Sequence, residues 1–542
     1  MKQLCILLLI LAGFGGHAQS AWTFVLPVQE VNGAMAVATG PDGKAYLTGR
    51  FTGSLALGGT TLTSTRPGPC LFIAKLSPAG QVLRVTKLEG ATDVLPRAIA
   101  VDQAGNSYVT GSFLGTLSYA GGSTSSLLTG PSGSAVFLLK CGANGTVRWV
   151  QQADGFQNTL YGYCNGAAVA VDPAGNSYIS GSVNGGPVRF GAQTFGTHRR
   201  DGFLASYDRQ GQLRWAQVLT HRNGSAGSCP SAGVVADGAG NCYLRGHSLE
   251  GWTLGSTELV IAGHADYLAR FEAGTGRLLW AKAIPGNGGG QALALDKRGD
   301  VYVGGGFSGT VAFDGTTLTS AGNGDGFVAR YDATGDVDWA TALGGPNYDV
   351  VSAIAVDQKS RKVFATGLMN FTPASTNQTF LARLSATGRV QRTELVGGPG
   401  TSSSGGLAID DANNVYSTGV FTGSCTFGEL AQTTAFTKGY FARYGNCQNA
   451  RSGSPPNDDF RAPALNLFPN PAQNQLTLRL DDQIPAGQAT LYNRLGTPVA
   501  SQFIQPATAT IQFDTSALPD GLYVLRVAAQ DKTTTQLVTV QH

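Results

Sequence analysis

The sequence predicts an all-β chain: a seven-bladed β-propeller of four-stranded antiparallel blades, closed by its N-terminal strand, followed by a small C-terminal β-sandwich. Three observations carry this expectation. Charged residues make up only 13% of the 542-residue chain, too few to cover the wet faces of helices. Glycine occurs 76 times, beside many Val, Thr, Tyr and Phe, the composition of short strands joined by tight turns. Finally, the phrase Ala98-Ile-Ala-Val-Asp102-Gln-Ala-Gly105-Asn-Ser-Tyr108-Val-Thr-Gly111 returns along most of the chain.

Copies of that phrase stand at 168–181, 234–246, 293–305, 354–367 and 407–419, with a divergent first copy at 36–49. Their turn positions (Gly43, Gly105, Gly175, Gly240, Gly299, Ser360 and Asn413) lie 53 to 70 residues apart. A second phrase follows each copy, best preserved as Asp201-Gly-Phe-Leu-Ala-Ser-Tyr-Asp-Arg-Gln-Gly211-Gln-Leu-Arg-Trp215. Each unit thus supplies four strands. The small apolar run Ala-Ile-Ala-Val suits a strand covered on both faces. Tyr-Val-Thr-Gly begins an alternation, Phe203, Ala205 and Tyr207 share one face of the third strand, and Leu213 and Trp215 share one face of the fourth. Between the first two strands, Asp can bond amides two residues on and Gly accepts positive φ at no steric cost. The last unit ends at Tyr444-Gly445 without a fourth strand, and Trp22-Thr-Phe-Val-Leu26 resembles the missing one, so the N-terminal strand is expected to close the ring.

These two phrases resemble the bacterial β-propeller repeat (SBBP) family over about residues 30–445. The first copy departs from it with Gly40 where Asp is expected, and Ser360 and Asn413 replace the turn glycine in two others.

Both ends read as addresses. Residues 1–18 have a secretory signal pattern: Lys2, an apolar stretch at 4–14 too short to span a bilayer, and Gly16-His17-Ala18 before the expected cleavage. No later stretch reaches the roughly 18 apolar residues of a membrane helix, so no integral membrane segment is expected after cleavage. The propeller is expected over 19–447, a polar linker over 448–463, and the C-terminal module over 464–542, with strands at 475–480, 489–493, 509–513, 522–527 and 536–540. Pro469-Asn470-Pro471, then Gly521-Leu-Tyr523, then a terminal apolar strand resemble the C-terminal sorting domain of the type IX secretion system. Gln536 stands where that family often has Lys, with Lys532 four residues earlier. The resemblance implies handling by the type IX machinery of a Bacteroidetes-type bacterium. It also implies removal of the domain and a protein secreted or held on the outer surface.

Seven cysteines follow the signal: Cys70, Cys141, Cys164, Cys229, Cys242, Cys425 and Cys447. None forms a Cys-x-x-Cys pair, so neither a zinc site nor a redox motif is supported. Cys229 with Cys242 and Cys141 with Cys164 are the nearest pairs for disulfides, with simple burial the alternative. The net charge of +3, without a basic run, speaks against nucleic acid as a partner.

No nucleophile elbow, zincin motif or P-loop occurs. Asp102, Asp172, Asp237, Asp296, Asp357 and Asp410 recur once per unit at the same turn, which marks them as architectural, since catalysis needs one asymmetric constellation. Asn323-Gly-Asp325-Gly is a weak approach to a calcium loop, and His198, His221, His247, His264 and His542 lack metal-ligand spacing. No cofactor, metal or catalytic residue is therefore expected.

The turns after the first and third strands are short and uniform, whereas the connections on the opposite face are long and different in each unit. Function is expected on that variable face. Its distinctive residues include Phe156, His198 and Asn347, and the candidate ligand contacts are Tyr161, Tyr163, Arg199, Arg200, His221, Arg222, His247, Trp252, Tyr348 and Asp349. Aromatic and amide side chains suit a glycan or a surface-protein ligand. The leading expectation is a secreted binding module. The alternatives are a polysaccharide hydrolase or lyase acting in the channel, or a structural adhesion component.

Overall fold

The computed structural model describes residues 22–28, 36–121, 124–129, 134–155, 164–184, 186–198, 200–222, 229–286, 292–369, 378–398, 400–428, 430–445, 466–469, 472–479, 487–493, 498–505, 510–529 and 532–542. The expected signal and linker fall outside them. Every regular element among the described residues is a strand, and none of them forms a helix long and apolar enough to cross a membrane. The chain divides into two compact units, residues 21–449 and a smaller one containing 450–542.

In the larger unit the repeated phrases fold as antiparallel meanders. Asn165–Val171, Ser177–Val183, Asp201–Tyr207 and Leu213–His221 pair in chain order, and the same pattern recurs before and after them. The first strands are Ala36–Thr39, the end of Val82–Val101, Asn165–Val171, Ser231–Ala236, Ala292–Leu295, Val350–Val356 and Thr401–Ile409. They neighbour one another in that order, and the last returns to the first. Trp22–Val28 pairs antiparallel with Leu430–Tyr444, supplying the strand that the last repeat lacks.

Register places Phe24, not Trp22, at the tryptophan position of the fourth strand. Phe24 pairs with Arg443, one residue before Tyr444, as Trp215 pairs with Ser206 before Tyr207. The neighbouring contacts agree. A Cβ on Gly211 would lie 2.8 Å from the Trp149 ring, and one on Gly80 would lie 3.0 Å from Phe24. Ring-on-glycine packing therefore joins neighbouring units at Gly80, Gly211, Gly276, Gly335 and Gly388, while at Gly145 the Arg84 side chain takes the place of the ring. Where the ring is tryptophan its Nε1 also donates to the next turn: Trp149 to the Arg209 carbonyl at 3.1 Å, Trp215 to Ala273 at 3.0 Å, and Trp339 to Ala386 at 3.1 Å.

The recurring acid is architectural. Asp410 accepts the amides of Ala412 at 3.0 Å and Asn414 at 2.8 Å, the Asn414 side-chain amide at 2.8 Å and the Tyr416 hydroxyl at 3.1 Å. Asp102 and Asp172 repeat the arrangement. One turn is built differently from the expectation. It is one residue longer, so Arg361, not Ser360, takes the left-handed backbone at φ 57°, while Asn413 does so at φ 64° in the last unit.

The six described cysteines are buried in the core and form no disulfide with one another, so neither expected pairing forms, and Cys447 lies outside the described residues. Cys229 and Cys242 pack in one apolar cluster without bonding, while Cys141 and Cys164 belong to two different clusters.

The smaller unit holds a three-stranded sheet, Asn466–Phe468, Gln475–Arg479 and Thr510–Asp514. It also holds a four-stranded one, Pro498–Ile504, Gly487–Tyr492, Gly521–Ala529 and Lys532–Val540. Leu476, Leu478 and Phe513 of the first share one core with Leu491, Leu525 and Val538 of the second. Tyr523 is buried and donates its hydroxyl to the Pro519 carbonyl at 2.7 Å, whereas Pro469 and Gly521 are exposed. Asn470 and Pro471 lie outside the described residues.

Candidate functional site

The first strand of a unit does not pair evenly with the second. The ladder skips Arg97, Ala167, Ala232, Ser352 and the pair Gly405-Gly406, the same repeat position in five units. The cause is in the repeat itself. A Cβ on Gly111, the last residue of the phrase, would collide with the Leu95 carbonyl oxygen, and Gly181, Gly367 and Gly419 meet the corresponding carbonyls of Asn165, Val350 and Ser403. Glycine lets the first strand cross this close, and the strand then bulges by one residue or more. A bulge takes the extra residue out of the ladder and re-aims it.

Those bulged residues open a cavity of about 350 Å³ at the starts of the innermost strands, the end reached by the connections between units. Its wall is mostly small or aliphatic: Ala36, Val37, Ala98, Ile99, Ala167, Ala292, Leu293, Ala353, Ile354 and Leu407, with Gly405 and Gly406. Three side chains add polarity, namely Arg97, Asn165 and Ser352. Arg97 is exposed to the cavity and forms no ion pair with any described residue. The side-chain oxygen of Asn165 is buried without a partner among the described residues. Among the described residues no carboxylate lines the wall. The volume falls in the range of small-molecule sites, and the electrostatics favour an anionic or strongly polar guest.

Of the expected contact residues that are described, none lines this cavity. Tyr161, Tyr163 and Arg199, with Phe156, lie outside the described residues. Arg200 and Arg222 are exposed on the loops, Arg222 pairing with Glu258. Tyr348 is 49% exposed. Three expectations are corrected by burial. Trp252 is fully buried against Tyr267, ring centroids 5.5 Å apart, and offers no face to a ligand. His221 is buried, its amide donating to Asp201 at 3.1 Å and its ring meeting the Leu249 carbonyl. Asp349 is buried and accepts the Gly345 amide at 2.7 Å. His221 and Asp349 support loop backbone, because a long connection must satisfy its own polar groups before it can present any, whereas Trp252 serves as apolar packing.

His247 is the centre of a separate polar cluster. Its Nδ1 lies 3.3 Å from Asp266, and its Nε2 lies 3.4 Å from Nδ1 of His264. Burial works to raise the Asp266 carboxyl, but the Arg245 guanidinium and His247 outweigh it and hold it below the ordinary range. Arg245 is fully buried and also donates to the Ala292 carbonyl at 2.7 Å. Among the described residues no group of three or more His, Cys, Asp or Glu could hold a metal ion.

Sequence reasoning missed Arg97, Asn165 and Ser352. One signal was present. In the seven copies, the residue preceding the small apolar run is Met35, Arg97, Ala167, Ala232, Gln291, Ser352 or Gly405, so Arg97 is the single charge in that column.

Residues 466–541 match the family described as the secretion system C-terminal sorting domain. That domain indicates export by the type IX secretion system, to the cell surface or into the medium. No relative is found among curated proteins. Solved structures similar to the chain include the Dos1 propeller, at 10% identity over 78% of this chain and 95% of that one, TM-score 0.35. Hydrazine synthase of Kuenenia stuttgartiensis follows at 9% over 74% and 95%, TM-score 0.37, and YCF48 from Cyanidioschyzon merolae at 11% over 66% and 97%, TM-score 0.31. These likenesses are too remote to speak to function.

Proposed function

We propose that the chain is a secreted or surface-displayed binding module, a seven-bladed propeller of the SBBP type that takes its ligand at the mouth of its central channel. The observation that carries this reading is the cavity lined by Arg97, Asn165 and Ser352 at the starts of the inner strands. The neighbour order of those strands and the pairing of Trp22–Val28 with Leu430–Tyr444 support a ring of seven blades. The two sheets around one core support a sandwich for the sorting domain. Residues 1–18 act as the signal peptide of a Bacteroidetes-type host, and the sorting domain directs passage from periplasm to surface. Arg200, Arg222 and Tyr348, with Tyr161, Tyr163 and Arg199 from the sequence, serve as outer contacts for a ligand larger than the cavity.

Two experiments test the reading. Ser352→Trp places an indole in the cavity, so binding in a glycan and surface-protein screen should fall to background. Binding unchanged by that substitution places the site elsewhere. Deleting 464–542 should trap the protein in the periplasm, and continued appearance at the surface would contradict the export route.

A further inference from the structure

We infer that the channel mouth is selective for an acidic sugar, whose carboxylate is held by Arg97 and whose hydroxyls meet Asn165, Ser352 and the main chain of the bulges. This rests on the channel-mouth reading above and names the ligand class of that site. Four observations converge. Arg97 is the single charged residue in its repeat column, so the charge breaks the symmetry of an otherwise uniform wall. Arg97 lines the cavity, and no carboxylate stands among the described wall residues to neutralise it. A guanidinium fork matches a carboxylate through two parallel hydrogen bonds, which favours a planar oxyanion over a spherical one.

The rest of the wall decides between kinds of acid. Among the described residues it carries no aromatic ring to stack on an aromatic acid. It does carry polar groups drawn from several units: the Asn165 side-chain oxygen, buried without a partner among the described residues, the Ser352 hydroxyl, and the bulged backbone at Arg97, Ala167 and Gly405. A ligand with hydroxyls on several sides of a compact ring satisfies such a set, and a single carboxylate satisfies Arg97. A cavity of about 350 Å³ accommodates a monosaccharide unit with ordered water.

The test uses titration calorimetry on the full secreted chain with galacturonic acid and its short oligomers, against galactose and an aspartate-containing dipeptide. The acidic sugar should bind, with affinity falling as salt is raised. Arg97→Ala should weaken it by about ten-fold or more, and Arg97→Lys should recover part of the loss as a point charge. Arg97 is exposed and bonded to nothing described, so unchanged thermal midpoints keep the comparison clean. Equal binding of galactose, equal binding of the dipeptide, or indifference to Arg97→Ala would each overturn the inference. If galactose binds, is blocked by Ser352→Trp and ignores Arg97→Ala, the channel reading stands and only the acidic-sugar assignment fails. If Ser352→Trp changes no binding at all, both fail.

Discussion

Asp296 and Asp325 belong to the same repeat, are equally buried at 3% exposure, and sit at opposite ends of their strands. Asp296 accepts the amides of Arg298 at 2.9 Å and Asp300 at 3.1 Å, the Tyr302 hydroxyl at 3.1 Å and the Arg361 guanidinium at 2.8 Å. Burial works to raise it, but those amides and Arg361 outweigh burial and hold it below the ordinary carboxylate range. Asp325 accepts one amide, from Ala321 at 3.0 Å, and its other oxygen is buried without a partner among the described residues. Burial, with the nearby Asp349 charge, pushes it up. At the Asp296 turn both carboxylate oxygens are matched and the acid stabilises the fold. At the variable end unmatched groups persist, Asp325 on the loops and Asn165 in the cavity, and the fold tolerates their cost where its surface is free to differ between units.

That contrast can be broken at three places, taken from the largest expected effect to the smallest. Gly111→Val forces a side chain into the Leu95 carbonyl and removes the bulge beside Arg97, so it should cost about 3 kcal/mol or more in denaturant unfolding. A loss under 1 kcal/mol would mean that the close crossing is not obligatory. Asp296→Asn and Asp325→Asn should then differ in sign. The depressed Asp296 contributes stability above its unfolded value of 3.8 that is lost as pH falls through the folded value. Its Asn variant should therefore be about 1–2 kcal/mol weaker at pH 7, with a narrower gap at an acidic pH below 3.8. The raised Asp325 disfavours the folded state once ionised, so its Asn variant should gain up to about 1 kcal/mol at pH 7 and lose that advantage as the wild-type acid protonates on acidification. Denaturation midpoints at the two pH values decide, and equal signs would erase the distinction between the two ends. Arg97→Ala should leave stability within about 0.5 kcal/mol, because nothing described depends on that guanidinium. A larger loss would make Arg97 part of the architecture.

Much of the fold was legible because its determinants are local. Asp102, Gly105 and Tyr108 stand within one turn of each other, and their spacing specifies the amide bonds and the left-handed residue; the hydroxyl contact recurs at Tyr178 and Tyr416 but not at Tyr243, which bonds the Gly299 carbonyl instead. The strands at 475–480 and 522–527 were likewise readable from alternation. The candidate site was much less legible. Trp252, His221 and Asp349 look like surface chemistry in a loop sequence, yet cross-strand pairing carries them inside. Phe24 replaces the expected tryptophan because a one-residue irregularity after Trp22 sets which ring meets Gly80.

The sequence by itself determined the repeat, the all-β class, the turn chemistry and the export module, since each is written within a dozen or so consecutive residues. Only the tertiary structure decided where side chains converge. The cavity draws two or three residues from each of six units some 60 residues apart, and bulges at the glycine crossings aim them inward. Neighbourhood across such distances is created by strand pairing and ring packing, which no local spacing encodes.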